Sequence, residues 1–247
     1  MLEPRMVLRF ALIAAPLSAL LAFATLSSTW TDAYARGFRA AGNKVFSQFW
    51  IWPQASVTFL DLRSPTLFAD IDAVTPGTLP ARFNPPKPED IVQDTLLVLQ
   101  NKEAFGAIGM VRTSSRPIGY WPTAAVISLL IATPMRWIRK LVGLLLGLMA
   151  VHAFIAFRLT ILLLKTGFAD PIKEFHLFGS SPFWQDLWRR LDEVFADNPT
   201  FPYVAGVFIW LLVTVGICGW SVWRSKPAAA EAEATLLSPG GERPGDG

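Results

Sequence analysis

The chain of 247 residues is 52% hydrophobic and 17% charged, and its mean hydropathy is +0.39. Soluble domains carry about 25% charged residues, so this composition indicates an integral membrane protein. The net charge of +3 comes from dispersed basic residues, which excludes the concentrated basic stripe typical of nucleic-acid binding. The single cysteine, Cys218, excludes an intrachain disulfide and a Cys-rich metal site.

The first predicted element is an apolar run at residues 7–26, which is long enough to cross the hydrocarbon core. Arg5 and Arg9 lie at its start and favour a cytoplasmic N-terminus. Two interpretations stay open: a retained transmembrane anchor over residues 1–28, and a signal peptide cleaved after the A-x-A site that ends at Ala35. The run is longer than an ordinary signal-peptide core, so we expect a retained anchor.

Residues 29–118 are predicted to form an extracytoplasmic α+β domain. Apolar residues at helical spacing over residues 30–49 predict an amphipathic helix that continues the first one along the membrane surface. Segments 55–63, 94–100 and 107–114 predict three short strands, the last two joined as a hairpin. The proline-rich segment after the first strand predicts a loop. Such a small sheet needs the helix, the membrane or a partner to cover one face.

Three further apolar runs predict three more transmembrane helices. Two of them form a hairpin over residues 119–165, whose short basic turn is predicted to be cytoplasmic. The fourth span covers residues 203–223, and the tail over residues 224–247 is predicted to be disordered. The expected fold is therefore a mainly α membrane protein with four transmembrane helices and a small strand-containing domain. Both termini are expected in the cytoplasm of a bacterial inner-membrane protein, and both long loops outside.

The second outer loop, residues 166–202, contains a strongly amphipathic segment. Ser181 and Pro182 predict its start, because serine caps helices and proline is favoured in the first turn. Asp192 is assigned to the polar face. The apolar side chains share the opposite face and predict an interfacial helix; they are Trp184, Leu187, Trp188, Leu191 and Phe195.

Arg158 is the main candidate functional residue, because it lies about 9 Å below the outer end of the third predicted transmembrane helix. It either belongs to an outward-opening site in the membrane or extends to the lipid headgroups. His152 and His176 are the candidate bases. His152 is expected to be buried and bonded to a neighbouring helix, and His176 is expected at the surface.

Gly143 and Gly147 form a GxxxG motif on the same helix. They share a face that lies within about 20° of Arg158, so this face is predicted to pack closely against another helix, in the chain or from a partner. Cys218 is expected to act as a small apolar side chain. The sequence contains no Walker, GxSxG, HExxH or GxGxxG motif, and no metal or cofactor is expected.

The segment 116–165 contains an Ala-Thr-Pro exit at residues 132–134, a basic turn, a Leu/Gly-rich run and then Arg158. In this order the features resemble proteins of the exosortase system, which are multi-pass bacterial inner-membrane enzymes that process proteins with a C-terminal sorting helix. In that family the catalytic cysteine precedes the arginine, whereas Cys218 follows Arg158. The layout of the chain therefore resembles more closely the small accessory membrane proteins that accompany exosortases.

We therefore expect a non-enzymatic accessory or scaffolding protein of the bacterial cell envelope, serving an exosortase-type system. Its expected partners are the lipid bilayer and another membrane protein. One alternative is an exosortase-like peptidase or transpeptidase, which requires Arg158 and either His152 or His176 to meet at one pocket. A second alternative is an oligomeric transporter component in which Arg158 lines a pore.

Overall fold

The computed structural model describes residues 4–47, 55–75, 93–101, 108–169, 181–195, 198 and 200–218. Within these residues the protein is mainly helical and has one small sheet, as the sequence predicts. The elements in chain order are α1 (Pro4–Ala24), α2 (Ser28–Phe46), β1 (Ala55–Asp61), α3 (Leu67–Val74), β2 (Thr95–Asn101), β3 (Ile108–Thr113), a π-helical turn (Arg116–Tyr120), α4 (Trp121–Ala132), α5 (Trp137–Ala169), α6 (Pro182–Phe195) and α7 (Phe201–Cys218).

The three predicted strands form one antiparallel sheet in the order β1-β2-β3. Leu97 in the central strand lies opposite Phe59 on one side and Val111 on the other. Alternate side chains along β1 are buried, because successive residues of a strand point to opposite faces. The pairing of β2 with β3 is that of the predicted hairpin, whose connecting loop lies outside the described residues.

Helices cover both faces of the sheet. On one face the ring of Phe46 in α2 lies 5.8 Å from that of Phe59. The amide side chain of Asn43 holds α2 to β1, since it accepts from the backbone N–H of Phe59 at 2.7 Å and donates to its carbonyl at 3.1 Å. On the other face, α3 and the strands bury a small second core of Leu62, Leu67, Ile71, Leu96 and Val98.

The prediction of a loop over residues 64–89 is wrong at α3. Leu67 and Ile71 are spaced by one helical turn, and both are buried against the sheet. This tertiary contact stabilises a helix that eight residues would not form alone. Residues 76–92 lie outside the described part of the chain.

The predicted continuation of the first helix into the second is interrupted at residues 25–27. Ser27 takes an extended conformation, and its side chain accepts a hydrogen bond from the backbone N–H of Trp30, so it caps a new helix. Because α2 starts independently, it can turn away from α1 and pack on the sheet.

The short helix α4 lies at the centre of the helical part and contacts α1, α5 and α7. Polar side chains connect it to two of them. Ser18 in α1 donates to Ser128 at 3.0 Å, and the indole N–H of Trp210 in α7 donates to Thr133 at 2.8 Å. Hydrogen bonds of this kind stabilise the packing of apolar helices in a membrane, because the hydrophobic effect contributes little to helix association there.

Two described helices are long and apolar enough to cross a membrane, at Val7–Ala24 and Trp137–Gly167. The four predicted spans are thus supported for two helices only. The second predicted span is short because α4 has 12 residues, or about 18 Å at 1.5 Å per residue. It ends at Thr133, whose backbone is extended because Pro134 follows and disfavours the helical conformation. The apolar part of α7, Phe201–Gly216, is also short.

One hydrophobic core runs from the sheet into the helices. It contains Phe59 and Leu97 from the sheet, Val126 from α4, and Val151 and Ile155 from α5. The sheet and the helical part therefore form one packed unit, which fixes the position of α2 relative to α5.

Candidate functional site

Arg158 is buried, with only 2% of its surface exposed. Its Nε donates to the carbonyl oxygen of Phe195 at 2.7 Å, and one terminal nitrogen donates to the carbonyl oxygen of Pro117 at 3.1 Å. The guanidinium carbon lies 6.0 Å from the ring centroid of Phe154. The side chain is therefore enclosed by protein and is not extended to the surface. It joins α5 to the end of α6 and to the turn before α4.

Neither carbonyl can accept a hydrogen bond from an N–H group of its own helix, and the sequence explains why. Phe195 is the last residue of α6, and the final carbonyls of a helix have no N–H group ahead of them. In the π-helical turn the N–H of Trp121 donates to Arg116, so the next donor in that pattern would be residue 122. Residue 122 is proline, which has no N–H to offer to Pro117. The guanidinium supplies the missing donors.

A second charged pair lies on the same two helices. Lys165 of α5 donates to Asp192 of α6, and only 1% of Asp192 is exposed. The assignment of Asp192 to an outward polar face of the amphipathic helix is therefore wrong. Part of that face packs against α5, because the ion pair lets a carboxylate be buried there. Among the described residues, the other oxygen of Asp192 and the indole N–H of Trp188 have no hydrogen-bond partner.

The predicted interfacial helix begins at Pro182, as expected. Some of its apolar residues contact other helices and others are exposed. Phe195 packs edge-on against Phe157 and Phe201, whereas 43% of the surface of Trp184 is exposed. Trp184 and Trp188 stack on each other with centroids 6.1 Å apart. The other four predicted interfacial residues are half-buried: Leu187, Trp188, Leu191 and Phe195. The helix thus attaches to the helical part and keeps an aromatic outer surface.

The two candidate bases do not join Arg158 in the described residues. The side chain of His152 is exposed, and its Nδ1 donates to the carbonyl of Leu148 in its own helix at 2.7 Å. The expectation of a buried histidine bonded to a neighbouring helix is therefore wrong. His152 lines a cavity toward α2, and the residues that line this cavity do not include Arg158. His176 lies outside the described residues.

The GxxxG face packs within the chain. Gly143 and Gly147 are both buried. A Cβ atom on Gly147 would lie 2.6 Å from a methyl group of Leu130 and 2.9 Å from one of Val126. The glycine thus lets α5 approach α4 closely, because a side chain there would require Leu130 and Val126 to move. Cys218 is the last residue of α7.

A network of charges lies between α2 and the sheet, around a cavity of about 200 Å³. Arg39 pairs with Asp61 at 2.5 Å and donates to the carbonyl of Asp94 at 3.2 Å. Arg63 approaches Asp32 at 3.5 Å. The buried carboxylate of Asp94 accepts from the side chains of Thr95 and Ser115 and from the Ser115 backbone, so this network fastens the sheet to the π-helical turn.

A candidate site that sequence reasoning missed is an apolar groove between α2 and α5. Its volume is about 470 Å³, and we call it the α2–α5 groove. Small and aromatic residues of α2 form one wall, and α5 forms the other. The lining residues include Tyr34, Gly37, Ala41, His152, Ile155 and Ala156. The signal that could have found it is the spacing of Ala33, Gly37 and Ala41 by four residues along one face of α2.

Tyr34 closes one side of the α2–α5 groove. Its ring packs edge-on against Tyr120 with centroids 5.2 Å apart. Burial raises the pKa of Tyr34 to about 12, because the phenolate would lose hydration. The residue is therefore neutral at physiological pH and adds no charge to the groove.

Among the described residues, no group of three or more His, Cys, Asp or Glu side chains could hold a metal ion. No protein-family model, curated protein or solved structure matches the chain.

Proposed function

We propose that the protein is a non-enzymatic accessory or scaffolding protein of the bacterial inner membrane. The observation that carries the proposal is the position of Arg158. Its Nε and one terminal nitrogen bind the carbonyls of Phe195 and Pro117, and His152 lines the α2–α5 groove, whose lining does not include Arg158. The side chain best suited to catalysis thus has a structural role.

The proposal includes four membrane crossings, with α4 and α7 added to α1 and α5. The π-helical turn and α4 together cover residues 116–132, or about 25 Å at 1.5 Å per residue. The apolar sequence of α7 continues to Val222. Four crossings put the basic residues at positions 5, 9 and 136–140 on one side, in agreement with the positive-inside rule. The sheet then lies outside the cytoplasm.

The partner system that we propose is an exosortase-type protein-sorting system. The support is the resemblance over residues 116–165. The last feature of that resemblance is Arg158 in the membrane helix. A scaffold suits the observed architecture, because the sheet and the helices share one core and hold α6 with its aromatic outer surface. Such a surface, at the level of the headgroups, favours contact with another membrane protein.

The first test is turnover by the purified protein. In vesicles with a peptide that carries a sorting helix, mass spectrometry should detect no cleavage or transfer by the protein alone. Deletion of its gene in the host should reduce processing of sorting-helix proteins, and expression from a plasmid should restore it. Turnover by the purified protein alone would contradict the accessory role.

A matched set of Arg158 variants separates structure from catalysis. If Arg158 is structural, host processing in Arg158→Met and Arg158→Lys should fall only in proportion to the loss of folded protein. If Arg158 is catalytic, a variant should be fully folded in the membrane and still inactive. The measurement is host processing divided by the amount of protease-resistant protein.

A further inference from the structure

The α2–α5 groove has the size and the chemistry of a ligand site. Its volume of about 470 Å³ falls in the range of about 300–1,000 Å³ that small-molecule sites occupy. Its walls are almost entirely apolar, with Phe38 and Val45 on α2 facing Ile155 and Leu159 on α5. An occupant would therefore present a hydrocarbon surface to the groove.

The two glycines of α2 that line the groove differ in what surrounds them. A Cβ on Gly42 would lie 2.6 Å from the ring of Phe59, so internal packing explains that glycine. A Cβ on Gly37 would meet nothing within 4 Å. An exposed glycine in mid-helix weakens the helix relative to alanine, and no contact within the described residues requires it. The open space beside Gly37 instead allows a ligand to lie directly on the backbone.

A positively charged side chain lies beyond Gly37 on nearly the same face of α2. Lys44 is exposed and lies seven residues beyond Gly37, which places it about 20° around α2 and about 10 Å further along. Arg39 and Arg63 are paired with carboxylates. Lys44 and Arg36 have no ion-pair partner among the described residues.

The direction of α2 decides which end of the groove is polar. The C-terminal end of α2 packs on the sheet through Phe46 and Phe59, and the N-terminal half meets the helical part through Tyr34 and Tyr120. In the membrane orientation proposed above, on which this inference depends, Lys44 is at the outer, headgroup side. The groove then runs from that cation along an apolar wall beside α5.

We propose that the α2–α5 groove binds one anionic phospholipid from the outer leaflet. One acyl chain lies against Gly37 and Ala41 of α2, and Lys44 pairs with the phosphate. Charge complementarity selects this occupant, because an anionic lipid combines an apolar chain with a negative head, and the apolar groove has the exposed Lys44 next to its lining residue Val45. A helix of a partner protein would need no cation at that position.

The test is native mass spectrometry of the full-length protein released from nanodiscs. The nanodiscs contain equal amounts of phosphatidylglycerol and phosphatidylethanolamine. The wild-type protein should retain one lipid per chain, with phosphatidylglycerol favoured at least fivefold. Gly37→Leu should retain at least tenfold less lipid, because its side chain occupies the groove, and Lys44→Gln should retain lipid without the preference.

Matched variants keep the result interpretable. Gly37→Leu should fold, because its Cβ meets no atom within 4 Å, and Ala33→Leu on the same wall provides a second groove-filling change. Ala153→Leu, at an exposed position of α5 outside the groove, should retain lipid as the wild type does. Wild-type lipid retention in both groove-filling variants would overturn the proposal, and so would equal retention of the two lipids by the wild-type protein.

The outcomes also separate this inference from the proposed function. Lipid retention is measured on the isolated protein, so it does not depend on an accessory role. Turnover of substrate with normal lipid retention would overturn only the accessory role. If photo-crosslinks from residue 37 form with a second protein chain and no lipid is retained, the groove is a protein-docking site and the lipid proposal is wrong.

Discussion

The Nε atom of Arg158 lies 2.7 Å from the carbonyl oxygen of Phe195 and joins the middle of α5 to the last residue of α6. The same guanidinium reaches Pro117, whose carbonyl has no helical partner because residue 122 is proline. Three chain segments thus meet at one side chain. This contact explains how an arginine can be buried among apolar helices.

Arg158→Met should destabilise the protein strongly. The two carbonyls would be left buried without donors, and each such loss costs roughly 1–3 kcal/mol. Thermal unfolding in detergent measures the effect. Arg190→Met is the matched control, because Arg190 is exposed and its ion-pair partner among the described residues, Asp186, lies on the same helix, so its loss should have little effect on stability. Equal stability of the two variants would show that the Arg158 contacts are not needed for the fold.

Gly147→Leu should weaken the contact between α4 and α5. Its Cβ would overlap Leu130 and Val126, and overpacking of this kind typically costs about 1–3 kcal/mol. Gly216→Leu on α7 is the control, because a Cβ there meets nothing within 4 Å. Unfolding in a denaturing detergent should distinguish them. A Gly147→Leu protein as stable as the control would mean that α4 and α5 do not approach so closely.

The first helix should be retained in the mature protein. Ser18 bonds Ser128, and the carbonyl of Leu21 accepts from the hydroxyl of Tyr120 at 2.7 Å, so cleavage would remove partners from two side chains of the helical core. Intact-mass measurement of the protein from membranes should find α1 attached. A mature chain that starts directly after Ala35 would support the signal-peptide interpretation instead.

Tyr34 should make the stability depend on pH only under alkaline conditions. Its pKa is raised to about 12 in the folded protein, against about 10 in an unfolded chain. Below pH 10 tyrosine is neutral in both states and adds no pH dependence. Between pH 10 and 12 only the unfolded state ionises, so stability is lost as the pH rises.

Absorbance titration of tyrosinate measures this shift. The difference between the wild type and Tyr34→Phe should titrate near pH 12 while the protein is folded, and near pH 10 in denaturant. Tyr34→Phe should also show a weaker loss of stability between these values. A difference curve centred near pH 10 in the folded protein would mean that Tyr34 is accessible to water.

Local patterns predicted the elements well. The β-branched and aromatic residues of segment 55–63, such as Val57 and Phe59, predicted β1. The serine-proline pair at residues 181 and 182 predicted the start of α6, because both signals act over a few residues. The helix at Leu67 could not be found from its own sequence, since it depends on burial against Leu96 across the sheet. Contacts between distant segments decide such cases.

The candidate site was predictable only in part. The position of Arg158 deep in a predicted transmembrane helix identified it as exceptional. Its partners, however, are backbone carbonyls, which have no sequence signature. Asp192 was assigned to the polar face because helical periodicity does not report which polar residue has an ion-pair partner on another helix. The small residues at positions 33, 37 and 41 mark one face of α2, but the location of the α2–α5 groove also depends on how α2 turns after Ser27, which only the three-dimensional fold shows.

The most direct test of the accessory role is affinity purification from gently solubilised membranes, with quantitative mass spectrometry of whatever co-purifies. A membrane protein of similar topology with the same tag is the control. The account predicts one membrane partner in a fixed ratio to the chain, absent from the control. A lone, monodisperse protein that turns over an envelope substrate by itself would contradict it.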